Sequence, residues 1–256
     1  MEPIIVELKD IRLTYHELHA ETLAIDMLNM TIQEGEFVAI VGPSGCGKTS
    51  MLSILCGLIK PSSGSVRLKG QEVTAPGQGI GYMLQRDHLL DWRDIEGNIL
   101  LGLEVKHILN DETRARALTL LSTYGLEEFR HHYPRQLSGG MRQKVSLIRT
   151  LAFDPDLLLL DEPFSALDYQ TRLRASDEMH RIIKQEHKTA LLVTHDIAEA
   201  ISMADRIIVF TERPARVKRE LNIQLSAPPT PIARRNAPEF HDYFDLIWKE
   251  LDTYAK

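Results

Sequence analysis

Phe37-Val38-Ala39-Ile40-Val41 runs directly into Gly42-Pro43-Ser44-Gly45-Cys46-Gly47-Lys48-Thr49, and this stretch decides the fold. Five apolar residues without a polar break read as a strand buried on both faces of a parallel sheet. The glycine-rich segment satisfies GxxxxGK[ST] and opens a helix predicted from Lys48 to about Leu58, ended by Gly57 and the Lys60-Pro61-Ser62-Ser63-Gly64 turn. Glycines are needed because the backbone must wrap phosphate groups closely with its N–H groups turned inward, where a Cβ would strain or obstruct the loop. Lys48 then reaches β- and γ-phosphate oxygens, and the Thr49 hydroxyl is a ligand for Mg²⁺. At average composition the pattern arises by chance in about one chain in a hundred of this length, and its position between strand and helix lowers that further.

Outward from the loop, β-rich runs at Ile4 to Leu8, Leu23 to Ile32, Ser65 to Leu68 and Ile80 to Met83 occupy the first third of the chain. From Ile95 to about Thr150 the pattern is helical, with Met141, Val145, Ile148 and Ala152 on one face, and reads as a helical insertion. Alternation resumes with Leu157 to Leu160, a long helix from Tyr169 to Gln185, Ala190 to Val193, a short helix near Ala198 and Ile207 to Phe210. Strands alternating with helices predict a mainly parallel sheet covered on both faces. After Pro228, Pro229 and Pro231, Asn236-Ala-Pro-Glu239 reads as a helix start with Asn236 as cap, followed by a stripe of Phe240, Tyr243, Phe244, Ile247, Trp248 and Leu251. The stripe predicts a terminal helix docked on the body; a membrane-surface helix would carry Lys and Arg on its other face, and this one does not.

Two further segments carry chemistry. Leu157-Leu158-Leu159-Leu160-Asp161-Glu162-Pro163 is an apolar strand ending in two acids, which puts Asp161 at the carboxyl edge of the sheet, where ligands bind in open α/β folds. Asp161 suits the Mg²⁺ shell, and Glu162 projects to where a carboxylate polarises an attacking water; by itself such a pair is more often a solvated turn, and the loop at 42–49 reverses that reading. Leu137-Ser138-Gly139-Gly140-Met141-Arg142-Gln143 precedes an amphipathic helix, so Ser138 and the glycine amides stand at a helix N-terminus able to receive an anion, though such a run alone is an ordinary connector.

Gly42 to Thr49, Leu137 to Gln143 and Leu157 to Pro163, in that chain order, resemble the phosphate loop (Walker A), signature and Walker B motifs of the ATP-binding cassette (ABC) family, over about residues 4 to 225. The resemblance implies an α/β phosphate-loop cassette with an N-terminal antiparallel part, a helical subdomain at about 95–150, a cassette spanning 1–225 and a tail at 226–256. It places Gly42 through Thr49, the adjoining Ser50, and Ser138, Gly139 and Gly140 in ATP binding. Gln85, in Tyr82-Met83-Leu84-Gln85, matches the glutamine that contacts Mg²⁺ or water, beside Thr49 and Asp161 as metal ligands. Asp168, in Ser165-Ala166-Leu167-Asp168, matches the D-loop, and His195, in Val193-Thr194-His195-Asp196, matches the switch histidine at the γ-phosphate. Glu162, His195 and Gln85 are the catalytic set, and Tyr15 stands at the place of the aromatic that stacks on adenine, with an ordinary strand tyrosine as the alternative. Because the family's site forms between two cassettes, a chain with one phosphate loop and one signature implies a head-to-tail homodimer, or a pair with a closely similar chain.

Hydrophobic residues at 43%, charged at 26% and a net charge of −6 exclude a mainly disordered chain and give no positive field for nucleic acid. No run approaches a membrane span and the N-terminus has no signal-peptide character, so the chain is expected to remain in the cytosol. Asp87-His-Leu-Leu-Asp-Trp92-Arg93 through Glu104 resembles the stretch of the nitrate, sulfonate and taurine importer group, with Asp91 where that group usually has proline; the Arg213-Pro214-Ala-Arg216 turn is similar too. The resemblance therefore implies an importer ATPase, peripheral on the cytoplasmic face of the membrane, with a separate transmembrane permease and, indirectly, an extracytoplasmic solute-binding protein; a soluble, non-transport cassette is the alternative. Two cysteines without a CxxC argue against a zinc site or disulfide framework. Cys46, beside Lys48 and a helix N-terminus, is expected to favour thiolate and to react before Cys56.

Overall fold

A computed structural model describes residues 2–17, 20–77 and 79–252. Two sheets organise it. The first is antiparallel, in the order β2-β1-β4-β5, from β1 (Ile4–Glu17), β2 (Ala20–Gln33), β4 (Ser63–Leu68) and β5 (Gln71–Glu72). The first two strands form one long hairpin, paired from Ile4↔Gln33 to Glu17↔Ala20 through several register shifts. The second sheet holds β3 (Phe37–Val41), β6 (Ile80–Met83), β7 (Leu157–Asp161), β8 (Thr189–Val193), β9 (Arg206–Phe210) and β10 (Val217–Asn222), in the order β10-β9-β3-β8-β7-β6. All of its pairings are parallel except that of β10 with β9.

Every residue of β3, β7 and β8 is buried, and the period-two pleat shares those side chains between two cores. Val38 and Ile40, Leu157 and Leu159, and Leu191 and Val193 meet the antiparallel sheet and α1 (Lys48–Leu55). Phe37, Ala39 and Val41, with Leu158, Leu160, Ala190 and Leu192, face the opposite layer of helices. That layer draws on α2 (Ile95–Val105), α3 (Asp111–Thr123), α4 (Gly139–Leu151), α5 (Tyr169–Gln185) and α6 (Ile197–Met203). A strand covered on both faces has little room for polar side chains, which is why these five-residue runs lack alternation and carry polar residues only at an end, Asp161 in β7 and Thr189 in β8. No helix among the described residues is long and apolar enough to cross a membrane.

The end of the chain differs from the sequence expectation in its cap. A short helix, α7 (Pro231–Arg234), is capped by Thr230, and α8 (Phe240–Asp252) starts four residues after Asn236. Asn236 instead donates to Ile232 O at 3.2 Å, and Glu239 turns back to Ser226, so neither serves the predicted capping box. The apolar stripe divides: Phe240 and Ile247 are buried, Tyr243, Phe244 and Leu251 are half-buried, and Trp248 is 55% exposed and stacked on Phe244. Ile247→Ala should lower the unfolding free energy by about 2–4 kcal/mol, and Trp248→Ala by well under about 1 kcal/mol; urea denaturation of the two variants measures the difference.

Candidate functional site

Because β3, β8, β7 and β6 run parallel, their carboxyl ends open on one edge of the sheet. After β3 comes the loop at 42–47, after β7 Glu162, after β8 Thr194 and His195, and after β6 Gln85. Ser44, Gly45, Gly47, Lys48, Thr49, Ser50, Glu162, Val193 and His195 together line a cleft of about 590 Å³. Segments far apart in sequence thus meet at a single opening.

Gly47 precedes α1 with φ 120, and a Cβ there would lie 3.0 Å from the Ala24 carbonyl oxygen, so both the backbone angle and the crowding demand glycine. Nothing caps the first turn of α1 through a side chain and no acid lies in it, leaving its N–H groups for an anion. The Lys48 ammonium is buried and donates to Gly42 O at 2.8 Å and Pro43 O at 2.9 Å. Its partners are neutral carbonyls, so its full positive charge stands at the floor of the loop. Tyr15, partly exposed at the end of the long hairpin, donates its hydroxyl to Ser50 Oγ at 3.0 Å, bringing an aromatic ring beside the start of α1.

Across the cleft, Glu162 carries a positive φ of 45, and its N–H donates to Val193 O at 2.8 Å, tying the end of β7 to that of β8. Its Oε2 receives Gln85 Nε2 at 3.2 Å and lies 3.1 Å from His195 Nδ1. One carboxylate oxygen therefore gathers the polar groups that follow three different strands. Asp161 is buried and accepts the Tyr82 hydroxyl at 3.0 Å. Burial pushes its carboxyl above the ordinary 3.8; the Tyr82 hydrogen bond opposes this, the Glu162 charge adds to it, and Lys48 opposes it more weakly. A carboxylate in that condition gains from a nearby cation. The Asp161 carboxylate, Thr49 hydroxyl and Gln85 amide are hard oxygen donors, the set that Mg²⁺ prefers, and so fit that ion.

The signature segment is elsewhere. Ser138 caps α4, accepting Met141 N–H at 3.3 Å, and Asp168 caps α5, accepting Thr171 N–H at 3.1 Å. A Cβ on Gly139 would approach Leu167 Cδ2 to 2.8 Å, so α4 starts in direct contact with the turn that leads to Asp168. None of Ser138, Gly139, Gly140 and Asp168 is among the described residues lining the cleft.

Sequence reading missed several residues that hold these parts together. Arg172 Nη2 donates to Leu167 O at 3.1 Å and Nη1 to Asp196 Oδ2 at 3.3 Å, joining the turn before Asp168 to the residue after His195. Thr194 Oγ1 donates to Glu199 Oε2 at 2.8 Å; burial, then the Asp196 charge, pushes Glu199 up to about 6. Arg142 Nε reaches Asp87 Oδ2 at 3.0 Å, and Arg149 donates to the Asp87 and His88 carbonyls at 2.7 and 2.8 Å, fastening the loop after Gln85 to α4. Buried Asn98 fixes the rest of that loop through Leu90, Arg93 and Asp94, and Trp92 at its tip is 76% exposed. Spacing does not pair Arg172 with Asp196, Arg142 with Asp87 or Arg149 with Asp87, which lie 24, 55 and 62 positions apart.

Comparison with known proteins supplies a family context. The ABC transporter family description matches residues 25–165. The chain is 46% identical over 244 residues to YtlC of Bacillus subtilis, an uncharacterized ABC transporter ATP-binding protein, across 95% of this chain and 94% of the relative. It is 38% identical over 247 residues to the nitrate import ATP-binding protein NrtD of Synechocystis, across 94% of this chain and 93% of that one. Among solved structures, the dimeric post-hydrolysis state of the ATP-binding cassette MJ0796 bound to ADP and Pi superposes with a TM-score of 0.72 at 34% identity, covering 86% of this chain and 99% of that one.

The loop cysteine corrects the sequence expectation. Cys46 is 1% exposed, with its Sγ 3.8 Å from Lys48 Nζ. Burial pushes its thiol above the ordinary 9.0, and the opposing Lys48 charge does not overcome this; burial likewise raises Cys56. Proximity in sequence put the ammonium beside the sulfur, but the fold also removed the water a thiolate needs. Both cysteines should therefore resist iodoacetamide in the folded protein at neutral pH and label together on unfolding, as peptide mass mapping with and without urea would reveal.

Proposed function

This chain belongs to the ABC transporter family, and from that membership we propose that it is the ATP-hydrolysing subunit of an importer, working as a homodimer with a separate membrane permease. That it is an ATP-binding ATPase subunit follows from the family; the importer assignment draws on relatives named for nitrate, aliphatic sulfonate and taurine import. Those names favour a small solute; in this reading a separate extracytoplasmic binding protein delivers it to the permease. The reading puts the chain peripherally on the cytoplasmic face of the membrane, with the helical part at about 95–150 as the permease-facing subdomain and 226–256 as a docked tail.

The observation that carries the catalytic reading is the cleft with Lys48, Thr49 and Ser50 on one side and the Glu162–His195 pair on the other. ATP enters with its phosphates against the loop at 42–49, where Lys48 exchanges two neutral carbonyl partners for phosphate oxygens and Tyr15 offers its ring to the base. Thr49, Asp161 and Gln85 would hold Mg²⁺, which neutralises charge on the phosphate oxygens when bound. Glu162 accepts a proton from the attacking water at Oε2, and His195, in contact with that same oxygen, orients the carboxylate and faces the γ-phosphate. Gln85 joins this group to the loop at 87–94, so a change at the phosphate reaches Trp92, the side chain best placed to meet a permease, and through Arg142 and Arg149 the signature helix.

Ser138, Gly139 and Gly140 have no place in the chain's own cleft, and the dimeric arrangement supplies one: each signature closes the cleft of the partner. Two substitutions test this directly. Glu162→Gln keeps shape and ATP binding while removing the base, and should lower steady-state hydrolysis by about 10²- to 10⁴-fold; retention of the parental rate would remove Glu162 from the mechanism. Ser138→Arg should leave nucleotide affinity of the isolated chain nearly intact and abolish ATP-dependent dimerisation in size-exclusion chromatography, whereas a normal dimer would count against the two-chain site.

A further inference from the structure

Away from the nucleotide cleft, a second opening of about 690 Å³ lies between α5 and the segment at 229–234. Its volume falls within the range of small-molecule sites. Pro229 and Pro231 give it an apolar wall, with His180, Arg181 and Lys184 of α5 opposite and Arg234 at its side.

Two of these side chains are deeply buried: among the described residues, one is a cation without an ion pair and the other a ring with a nitrogen that has no hydrogen-bond partner. Arg234 is 8% exposed; its guanidinium donates from Nη2 to Ala204 O at 2.7 Å and forms no ion pair among the described residues. Burial pushes the guanidinium below its ordinary range, with Asp205 opposing from longer range, as expected of a cation without a counter-charge. His180 is 4% exposed, its Nε2 has no hydrogen-bond partner, and its ring packs on Phe37 with centroids 5.6 Å apart.

The two acids that border the opening are already engaged. Asp205 accepts Lys184 Nζ at 2.8 Å and Phe37 N–H at 2.9 Å, and Asp177 accepts Ile232 N–H at 3.2 Å. Arg181 is occupied by Gln185 at 3.1 Å and Glu178 at 4.0 Å. Among the described residues, Arg234 is the cation at this opening with no carboxylate partner, and Asp177, held only by a neutral N–H, keeps its own negative charge there.

We propose that this opening is a binding site for a small oxyanion with an apolar body, of the carboxylate or alkanesulfonate class, whose head group is held by Arg234 and His180 and whose body lies on Pro229 and Pro231. A planar guanidinium with free N–H groups is matched to such a head group, and an imidazole N–H supplies a further donor. The occupant would bridge α5, which Asp168 caps, to the C-terminal segment that otherwise touches it through α7.

The test is isothermal titration of the full chain with sodium butanesulfonate and with sodium butanoate, the phosphate loop being first saturated with MgADP so that anion binding there does not contribute. Butan-1-ol and butylammonium chloride are the uncharged and cationic controls. At least one of the two anions should bind saturably at one site per chain, and the stronger of them identifies the head group; neither control should bind. Arg234→Gln and His180→Phe should each weaken that anion by at least about tenfold, with MgADP affinity unchanged. His180→Phe preserves the contact with Phe37 and keeps the test available should Arg234→Gln not fold. Absence of saturable binding by both anions, equal binding of butan-1-ol, or undiminished binding in His180→Phe would overturn the proposal.

Discussion

Three neighbouring strands buried over their whole length, β3, β8 and β7, constrain everything polar in this molecule. Their only charged side chain is Asp161, the last residue of β7, so the chemistry begins with the residues where the strands end. Since the strands are parallel, those residues emerge at one edge within reach of one another. The Glu162 N–H to Val193 O bond and the contact of Glu162 with His195 are direct results: two strands adjacent in the sheet deliver their next residues to the same place. The double core behind them, one against the antiparallel sheet and one against the helices, keeps this edge from deforming.

The polar bonds divide the edge into parts that can act separately. Lys48 belongs wholly to its own loop, through carbonyls no more than six residues away. Glu162, Gln85 and His195 belong to one another, and Arg172 joins the turn after Glu162 to the residue after His195. Arg142 and Arg149 hold the loop after Gln85 to α4 at the same time as Ser138 caps that helix. A displacement of the Gln85 loop is thus shared with the signature segment without passing through the sheet, which suits a protein proposed to report nucleotide state to a partner.

How much of this the sequence disclosed depended on whether the signal was local. The phosphate loop, the strand ending in Asp161 and the helix from Tyr169 to Gln185 were legible because each is a contiguous pattern with one physical cause. The hairpin extends beyond its apolar pattern: after Leu8 come exposed Lys9 and Arg12 and half-buried Asp10, and these polar residues conceal a strand that continues to Glu17. Strand β10, Val-Lys-Arg-Glu-Leu-Asn, went unread for a similar reason, since an edge strand with little burial has little apolar pattern. Asn236 looked like a cap, but a preceding helix claimed its side chain. Cys46 was misjudged because chain neighbours show which charge is near but not how much water remains. The pairings of Arg172, Tyr82 and Arg149 were invisible from spacing, and the meeting of signature with phosphate loop entered only through the family resemblance, since it is proposed to lie between chains.

The backbone at Glu162 shows where activity and robustness part company. A non-glycine residue at φ 45 costs on the order of 1–3 kcal/mol, and asparagine or glycine would occupy that conformation with less penalty. Neither has the reach of a glutamate from the end of β7 to the ring of His195. Selection for thermal tolerance alone would drive this position toward a smaller residue, and selection for turnover would hold it where it is. Position 162 is in that sense a fault line, at which a more durable molecule and a working one are different sequences.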